Sequence, residues 1–552
     1  MTLRRRDFIG ASAGALALAG CESSPPIDGG FTGIDVARGH AWRDGAGRGA
    51  VPAETRRTRV VVAGGGVAGL AAARALRLAG TDDFVLLELE DGAGGNARGG
   101  RVHGIACPLG AHYLPTPGDP AHEVQDLLEE LGLRRRVAGR WEYDERHLCH
   151  SPQERLFFRG EWQDGLLPLH GVDAGTLAQY RRFAQRVDAL QREAHFTIPA
   201  FRAPATADAM AVAMALDAEP FATWLEREGL SDPQLRWYLD YCCRDDYGAG
   251  IAHVSAWAGI HYFASRHGFH PPGDPSAEGG ERDAVLTWPE GNGWLTQRLA
   301  APLGERLRTG HAVLRIAETR HGVEVDAWDA ATRRVVRWQA ERCIVALPAF
   351  IAARVVEQAP DVLRQAAAAL QYAPWLVANV HLRAPLQDRP GAAPSWDNVV
   401  YGTRGLGYVD ARHQALDPTP RATVLSWYRP LGPSGFDGAT AAEGRRRLLD
   451  APWSAWRDEL LAELSVPHPD LPRLATRIDI TRYGHAMAIP TPGLLSRIGH
   501  LRPPHGRGPL SNQERAVQVQ GRLAFAHGDW AGYSIFEEAF TRGHLAGVGA
   551  AA

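Results

Sequence analysis

Arg59-Val60-Val61-Val62-Ala63-Gly64-Gly65-Gly66-Val67-Ala68-Gly69-Leu70 is the stretch on which the fold turns. The β-branched run reads as a short buried parallel strand. Three glycines follow at G-x-G-x-x-G spacing, and Leu70 to Leu78 carries Ala and Leu at helical intervals. In a strand–turn–helix unit, Gly64 permits the tight turn and Gly66 lets a pyrophosphate approach the backbone. Gly69 lets the helix pack close to the strand. Val67 and Ala68 open the helix, whose first N–H groups and positive partial charge suit phosphate. With 61 glycines in 552 residues, the bare pattern arises about once by chance, so its surroundings decide. Phe84-Val85-Leu86-Leu87 reads as a second strand. Glu88 ends it about twenty residues on, where an acid accepts hydrogen bonds from a ribose diol. The expected class is α/β with a bound dinucleotide.

Composition bounds the rest. A 552-residue chain allows about two to four domain-sized units. Its 45% hydrophobic and 22% charged content is globular. Sixty basic and 63 acidic side chains leave a net charge of -3, with no overall pull toward nucleic acid. All 60 basic residues are arginine; the chain has no lysine. That excludes a Schiff-base lysine, a Walker lysine and a lysine general base. Six cysteines without a C-x-x-C pair argue against a disulfide framework and a zinc site, so no metal is expected. No H-E-x-x-H occurs, and the one G-x-S-x-G, Gly10 to Gly14, has no strand before it.

The N-terminus reads as an address. Arg5-Arg6-Asp7-Phe8-Ile9 precedes the short apolar run Ala11 to Gly20. The first resembles a twin-arginine signal, and Leu18-Ala19-Gly20-Cys21 resembles a bacterial lipobox. The expectation is a bacterial protein exported to the periplasm by the twin-arginine machinery and membrane-anchored by lipid at Cys21. Residues 22–58, rich in Gly, Pro, Arg and Asp without periodicity, read as a tether and irregular lead-in.

Further segments separate flavin from nicotinamide. Glu88-Leu89-Glu90-Asp91-Gly92-Ala93-Gly94-Gly95-Asn96 resembles the second glycine motif of the flavin amine oxidase and carotenoid desaturase superfamily. That family places Arg where this chain has Asn96. The resemblance implies that Arg98 or Arg101 supplies the missing charge. Pro108-Leu109-Gly110-Ala111-His112-Tyr113 resembles the family's stretch beside the flavin ring, and Trp288 to Leu295 its glycine-bearing lead-in to a helix. At the Val313 position the family touches adenine through backbone. Leu523 to Asp529 resembles its last strand, whose final acid bonds the ribityl chain after Gly528. Ser534-Ile535-Phe536-Glu537 is a capping-box pattern before a helix spanning Glu538 to His544. The resemblance implies that this helix terminus faces the flavin pyrimidine. It implies FAD, held without a covalent bond, on a discontinuous Rossmann-type domain (59–120, 283–355 and 505–552). A mixed α+β substrate domain (121–282 and 356–504) accompanies it, after a signal peptide at 1–21.

Candidate catalytic residues are aromatic or histidine. Trp530-Ala531-Gly532-Tyr533 resembles the segment bearing an aromatic cage wall, which points to Tyr533. His112 lies in the flavin-adjacent stretch, and His485 in Tyr483 to Met487 on an approaching strand. Asp240-Tyr241 with Arg244-Asp245-Asp246-Tyr247 reads equally as pocket lining or as a buried ion-pair corner. Many relatives hold a water with a lysine on the strand resembled by Leu376 to Val380; Ala378 or Asn379 occupies that place here. The implied function is hydride transfer from an amine-type C–N bond of a small molecule to flavin N5. Oxygen use is expected to be slow and the electron acceptor is unidentified. A desaturase-like reaction on an apolar substrate and a non-catalytic flavin lipoprotein partner are the alternatives.

Overall fold

The computed structural model describes residues 26–45, 49–149, 153–266, 268–273, 284–387, 389–413, 419, 421–436, 440–498 and 516–552. The signal segment and Cys21 lie outside the described residues.

The fingerprint strand Val60–Ala63 is fully buried at the centre of a six-stranded sheet. On one side lie Phe84–Leu87 and then Leu307–Arg308; on the other lie Arg342–Val345 and Leu523–Phe525, all parallel. Gln518–Gln520 closes the edge antiparallel. Burial on both faces explains the continuous Val and Leu runs. The helix Val67–Leu78 covers one face and is itself crossed by the terminal helix Phe536–Ala551. A side chain at Gly543 or Gly547 would overlap the carbonyls of Ala68 or Ala72, so the two helices touch backbone to backbone. The terminal helix is much longer than the expected Glu538 to His544.

A four-stranded sheet holds His311–Glu318, Val323–Asp329 and Arg334–Ala340, with Glu54–Arg57 added in parallel. The substrate half is built on an eight-stranded mixed sheet around Gln371–Leu382, Thr423–Pro430 and Ala475–Ile489. Helices including Ala174–Ala194, Pro233–Tyr247 and Ala256–Ala264 pack together beside it. The segment 22–58, expected to be a tether, supplies strands to two of these sheets. Asp28–Phe31 pairs in parallel with Arg477 to Ile480, and Glu54–Arg57 pairs with Val336 to Gln339. Sheet edges supply the hydrogen bonds that this non-periodic segment could not advertise. Among the described residues no helix is long and apolar enough to cross a membrane.

Candidate active site

One cavity of about 1040 Å³ runs from the glycine turn to the substrate sheet. Its first stretch is backbone. Gly64 has φ +103°, and a Cβ there would overlap the Ala346 carbonyl. A Cβ on Gly69 would overlap the Gly64 carbonyl oxygen, so this position fixes how close the helix lies. Above Gly66 the nearest protein atom to such a Cβ is 3.9 Å away, on Gly95. The turn is tied to the second motif by Gly94 N, which donates to Gly65 O at 2.7 Å. Val67, Ala68, Gly94, Gly95, Asn96, Gly110, Ala111 and Val313 all line the cavity, with a β-bulge immediately after Val313.

Two acids frame this stretch. Glu88, buried at the strand end, accepts from Gly65 N and Glu90 N, each at 2.8 Å. Burial pushes its carboxyl above the ordinary range, against those two bonds. Asp529 is 2% exposed. Its Oδ2 accepts from Tyr372 Oη at 2.6 Å and Ala349 N at 2.7 Å, while Oδ1 has no hydrogen-bond partner among the described residues. Burial raises the Asp529 carboxyl, but the His527 ring and these donors outweigh burial and hold it below the usual range. An open cradle over Gly66, a carboxylate oxygen that among the described residues meets only the His527 ring, 3.2 Å away, and a helix terminus along one cavity fit a flavin dinucleotide.

The terminal helix begins at Phe536 with Ile535 as its cap residue and no side-chain capping bond. The capping box is therefore absent. Ser534 Oγ instead accepts from Ala488 N at 3.0 Å, and Glu537 turns into the cavity. Ile535 offers no capping oxygen to the first-turn N–H groups, and such a helix start suits an anionic or carbonyl oxygen of a ligand.

Three other expectations meet different neighbours. Arg98 does not reach the cavity; its Nη1 donates to Gly33 O at 2.6 Å. Arg101 donates within its own hairpin to Gly104 O. Neither lines the cavity: the ordered N-terminal segment holds Nη1 of Arg98, and the local turn holds Nη1 of Arg101. Tyr533 is not in the cavity wall either. Its hydroxyl donates to Glu538 Oε1 at 2.8 Å in the packed interior, and Ile535 and Phe536 line the cavity instead.

The substrate end is aromatic. His112 stacks on Tyr428 with ring centres 4.3 Å apart, beside Tyr113 at 5.0 Å. Tyr428 and Tyr483 donate to the carbonyls of Gly110 and Leu109 and so pin the flavin-adjacent loop. His485 stacks on Phe350 at 4.4 Å and lines the same cavity. Burial lowers His112 to about 3 and His485 to about 4, so both rings are neutral at pH 7.

Charge enters from segments whose role was left open. Asp245, Asp246, Arg266 and Glu537 all line the cavity. Asp246 is paired with Arg266 at 3.1 Å. Burial, with Asp246 nearby, pushes Asp245 up to about 7 despite Arg266 and the Tyr113 hydroxyl at 3.4 Å. Burial also pushes Glu537 up to about 7. The ion-pair corner exists as well: Arg244 and Asp240 meet at 3.0 Å on the same helix, away from the cavity.

On the strand Gln371–Leu382, Trp375 and Val377 reach the cavity. Ala378 packs with Trp427 and Trp456 on the opposite face. Asn379 donates to Pro108 O at 2.9 Å and accepts from Ser426 Oγ at 2.5 Å. Val377 lines the cavity, whereas Ala378 and Asn379, the residues expected at the lysine's place, do not.

Comparison with known proteins bears on this geometry. The family model for flavin containing amine oxidoreductases matches residues 67–434. An L-amino acid dehydrogenase of Synechocystis is 25% identical over 318 residues, covering 54% of this chain and 58% of that protein. The chain thus matches little more than half the length of this curated relative. A solved putrescine oxidase variant superposes with TM-score 0.65 at 18% identity, covering 90% of this chain and 99% of that one. Cyclohexylamine oxidase from Brevibacterium oxydans gives TM-score 0.59 at 18% identity, over 90% and 98%. At these identities the solved structures establish the fold.

Proposed function

The chain belongs to the flavin containing amine oxidoreductase family, and from that premise we propose that it is an FAD-dependent enzyme oxidising the C–N bond of a small amine. One observation carries this reading. The dinucleotide cradle continues without a partition into an aromatic pocket that presents Asp245, Glu537 and the Asp246–Arg266 pair. Gly64 to Ala68, Glu88, Gly94 to Asn96, Val313, Asp529 and the start of the terminal helix would hold the FAD. FAD, when bound, supplies the two-electron acceptor for the C–N bond. The chain's own residues do the rest. Tyr113, Tyr428 and Trp375 exclude water and orient the substrate. Asp245 attracts the ammonium group. With its carboxyl near 7, it also accepts the ammonium proton at Oδ, freeing the nitrogen lone pair that C–N oxidation requires. His112 and His485 serve as neutral walls.

The relatives, two amine oxidases and an amino acid dehydrogenase, support an amine substrate. Charged groups in the pocket disfavour a wholly apolar C–C substrate. Anaerobic addition of putrescine, cyclohexylamine and a set of L-amino acids should bleach the flavin absorbance with at least one of them. Bleaching by none would remove the amine reading.

Two finer parts belong to the same proposal. With no lysine in the chain and Val377 on the wall, reduced enzyme passes its electrons to an acceptor other than oxygen. Stopped-flow reoxidation by air at an ordinary oxidase rate would contradict this. The chain is exported folded by the twin-arginine route and anchored in the periplasm by lipid at Cys21, a reading that the motifs Arg5 to Ile9 and Leu18 to Cys21 support. Arg5→Lys with Arg6→Lys should retain it in the cytoplasm, and Cys21→Ser should move it out of the membrane fraction. Unchanged fractionation of both variants would defeat the address.

A further inference from the structure

The helix Val36–Arg43 precedes the family-matched residues 67–434. Even so, Gly39, Trp42, Arg43 and Asp44 wall the nucleotide end of the cavity, beside Glu88, Leu89 and Val313. We propose that this helix is part of the dinucleotide site, with the Trp42 indole as a surface against which the adenosine half of FAD packs. The proposal rests on the FAD reading above and extends it to a segment outside the glycine motifs.

The helix is held in place by the residues that follow Glu88. Arg38 Nη1 donates to Leu89 O at 2.8 Å and to Asp91 at 2.9 Å, and Asp35 N donates to Glu90 Oε2 at 3.2 Å. Trp42 packs on Trp328 with ring centres 5.1 Å apart. Trp328 pairs across the sheet with Ala312, the neighbour of Val313. Strands on either side of the helix pin its two ends, Asp28–Phe31 to the substrate sheet and Glu54–Arg57 to the four-stranded sheet. A short helix with two anchors needs little further ordering when a ligand arrives. The Trp42 Nε1 is buried and has no hydrogen-bond partner among the described residues. A buried indole N–H without an acceptor is costly, and a phosphate, ribose or adenine acceptor would satisfy it. The ring offers a flat apolar face of the kind on which bases stack.

The test uses apoprotein titrated with FAD and, separately, with FMN, which lacks the adenosine half. Affinity is read from flavin fluorescence and folding from circular dichroism. Trp42→Ala should weaken FAD by about ten-fold or more, the scale of losing one base–aromatic stack, and leave FMN within about two-fold. Trp42→Phe, which keeps a ring and loses the N–H, should weaken FAD by about two- to five-fold. Arg38→Ala, which releases the helix from Leu89 and Asp91, should repeat the Trp42→Ala pattern; with Trp42→Phe it keeps the test open if Trp42→Ala does not fold. Unchanged FAD affinity in the folded variants, or equal losses of FAD and FMN, would overturn the proposal. Wild-type apoprotein that takes up neither flavin would instead refute the FAD reading on which it rests.

Discussion

At the nucleotide end of the cavity the glycine motifs present backbone: the turn at Gly64, the open face of Gly66 and the Gly94–Gly65 bond. At the substrate end they come from side chains on distant segments: Tyr113, Asp245, Arg266, Tyr428, His485 and Glu537. The difference is one of tolerance. At Gly64 and Gly69 an added atom overlaps a carbonyl, whereas a side-chain site changes in degree and retunes with charge. Each end can be tested by a substitution that the other would tolerate.

The largest effect is expected at Gly69. Gly69→Val drives a side chain into the Gly64 carbonyl and separates helix from strand. Purified Gly69→Val should carry no flavin, read from the ratio of flavin to protein absorbance. Gly30→Ala, where an added methyl meets nothing within 4 Å, should keep the wild-type ratio. Retained flavin in Gly69→Val would mean that the backbone end is as tolerant as the other.

At the substrate end the expected effect is graded and pH-dependent. Asp245→Asn should raise KM for the amine by about ten-fold, the scale of one charge-assisted contact, with a smaller change in kcat. In the wild type, KM should fall as pH rises through about 7, where Asp245 and Glu537 gain charge. Asp246, in its ion pair with Arg266, and Tyr113 face the same groups, and burial raises the Tyr113 hydroxyl well above its ordinary range. A double Asp245→Asn, Glu537→Gln variant should show a flat profile between pH 6 and 8. A persisting slope would place the titration elsewhere.

The same two carboxyls predict a stability effect of opposite sense. Their folded values lie above the ordinary ones, so the fold favours their protonated forms. That contribution is complete below about pH 4, the unfolded value, and is lost as pH rises through about 7. The double variant should therefore melt a few degrees higher than wild type at pH 8, and at the same temperature at pH 4, on the order of 1–2 kcal/mol of relieved charge burial. A variant less stable at pH 8 would show that these charges are satisfied in the fold.

What the sequence disclosed follows the same division. Gly64, Gly66, Gly69 and Glu88 lie within 25 residues, and local geometry alone dictates their types, so the nucleotide end was readable. The substrate end depends on orientation that periodicity does not resolve. On the helix Pro233–Tyr247, Asp240 and Arg244 are one turn apart and pair together, while Asp245, one residue on, is rotated toward the cavity. On the strand Gln371–Leu382 a one-residue shift exchanges faces, which is why Val377 and not Ala378 reaches the site. Arg98 went unread for a third reason: its acceptor, Gly33 O, lies in a segment that no pattern marked as ordered.

The smallest effect on turnover is expected at Tyr533, the residue for which the two ends are most easily confused. It follows Gly532, whose φ of +80° turns the chain after the short helical turn Gly528–Ala531. That turn sends Tyr533 inward and leaves Ile535 at the cavity. The Tyr533 hydroxyl is one of three donors to the fully buried Glu538, with Ala200 N at 2.6 Å and Arg542 Nε at 3.0 Å. Tyr533→Phe leaves the carboxylate with two donors and the ring packing intact. It should cost about 1–2 kcal/mol of stability, one buried charge-assisted bond. Flavin content should be unchanged and kcat/KM should stay within about two-fold, because nothing at the cavity wall has moved. A ten-fold fall in kcat with flavin content intact would put Tyr533 against the substrate after all, and the boundary between packed interior and pocket wall would have to be redrawn at Gly532.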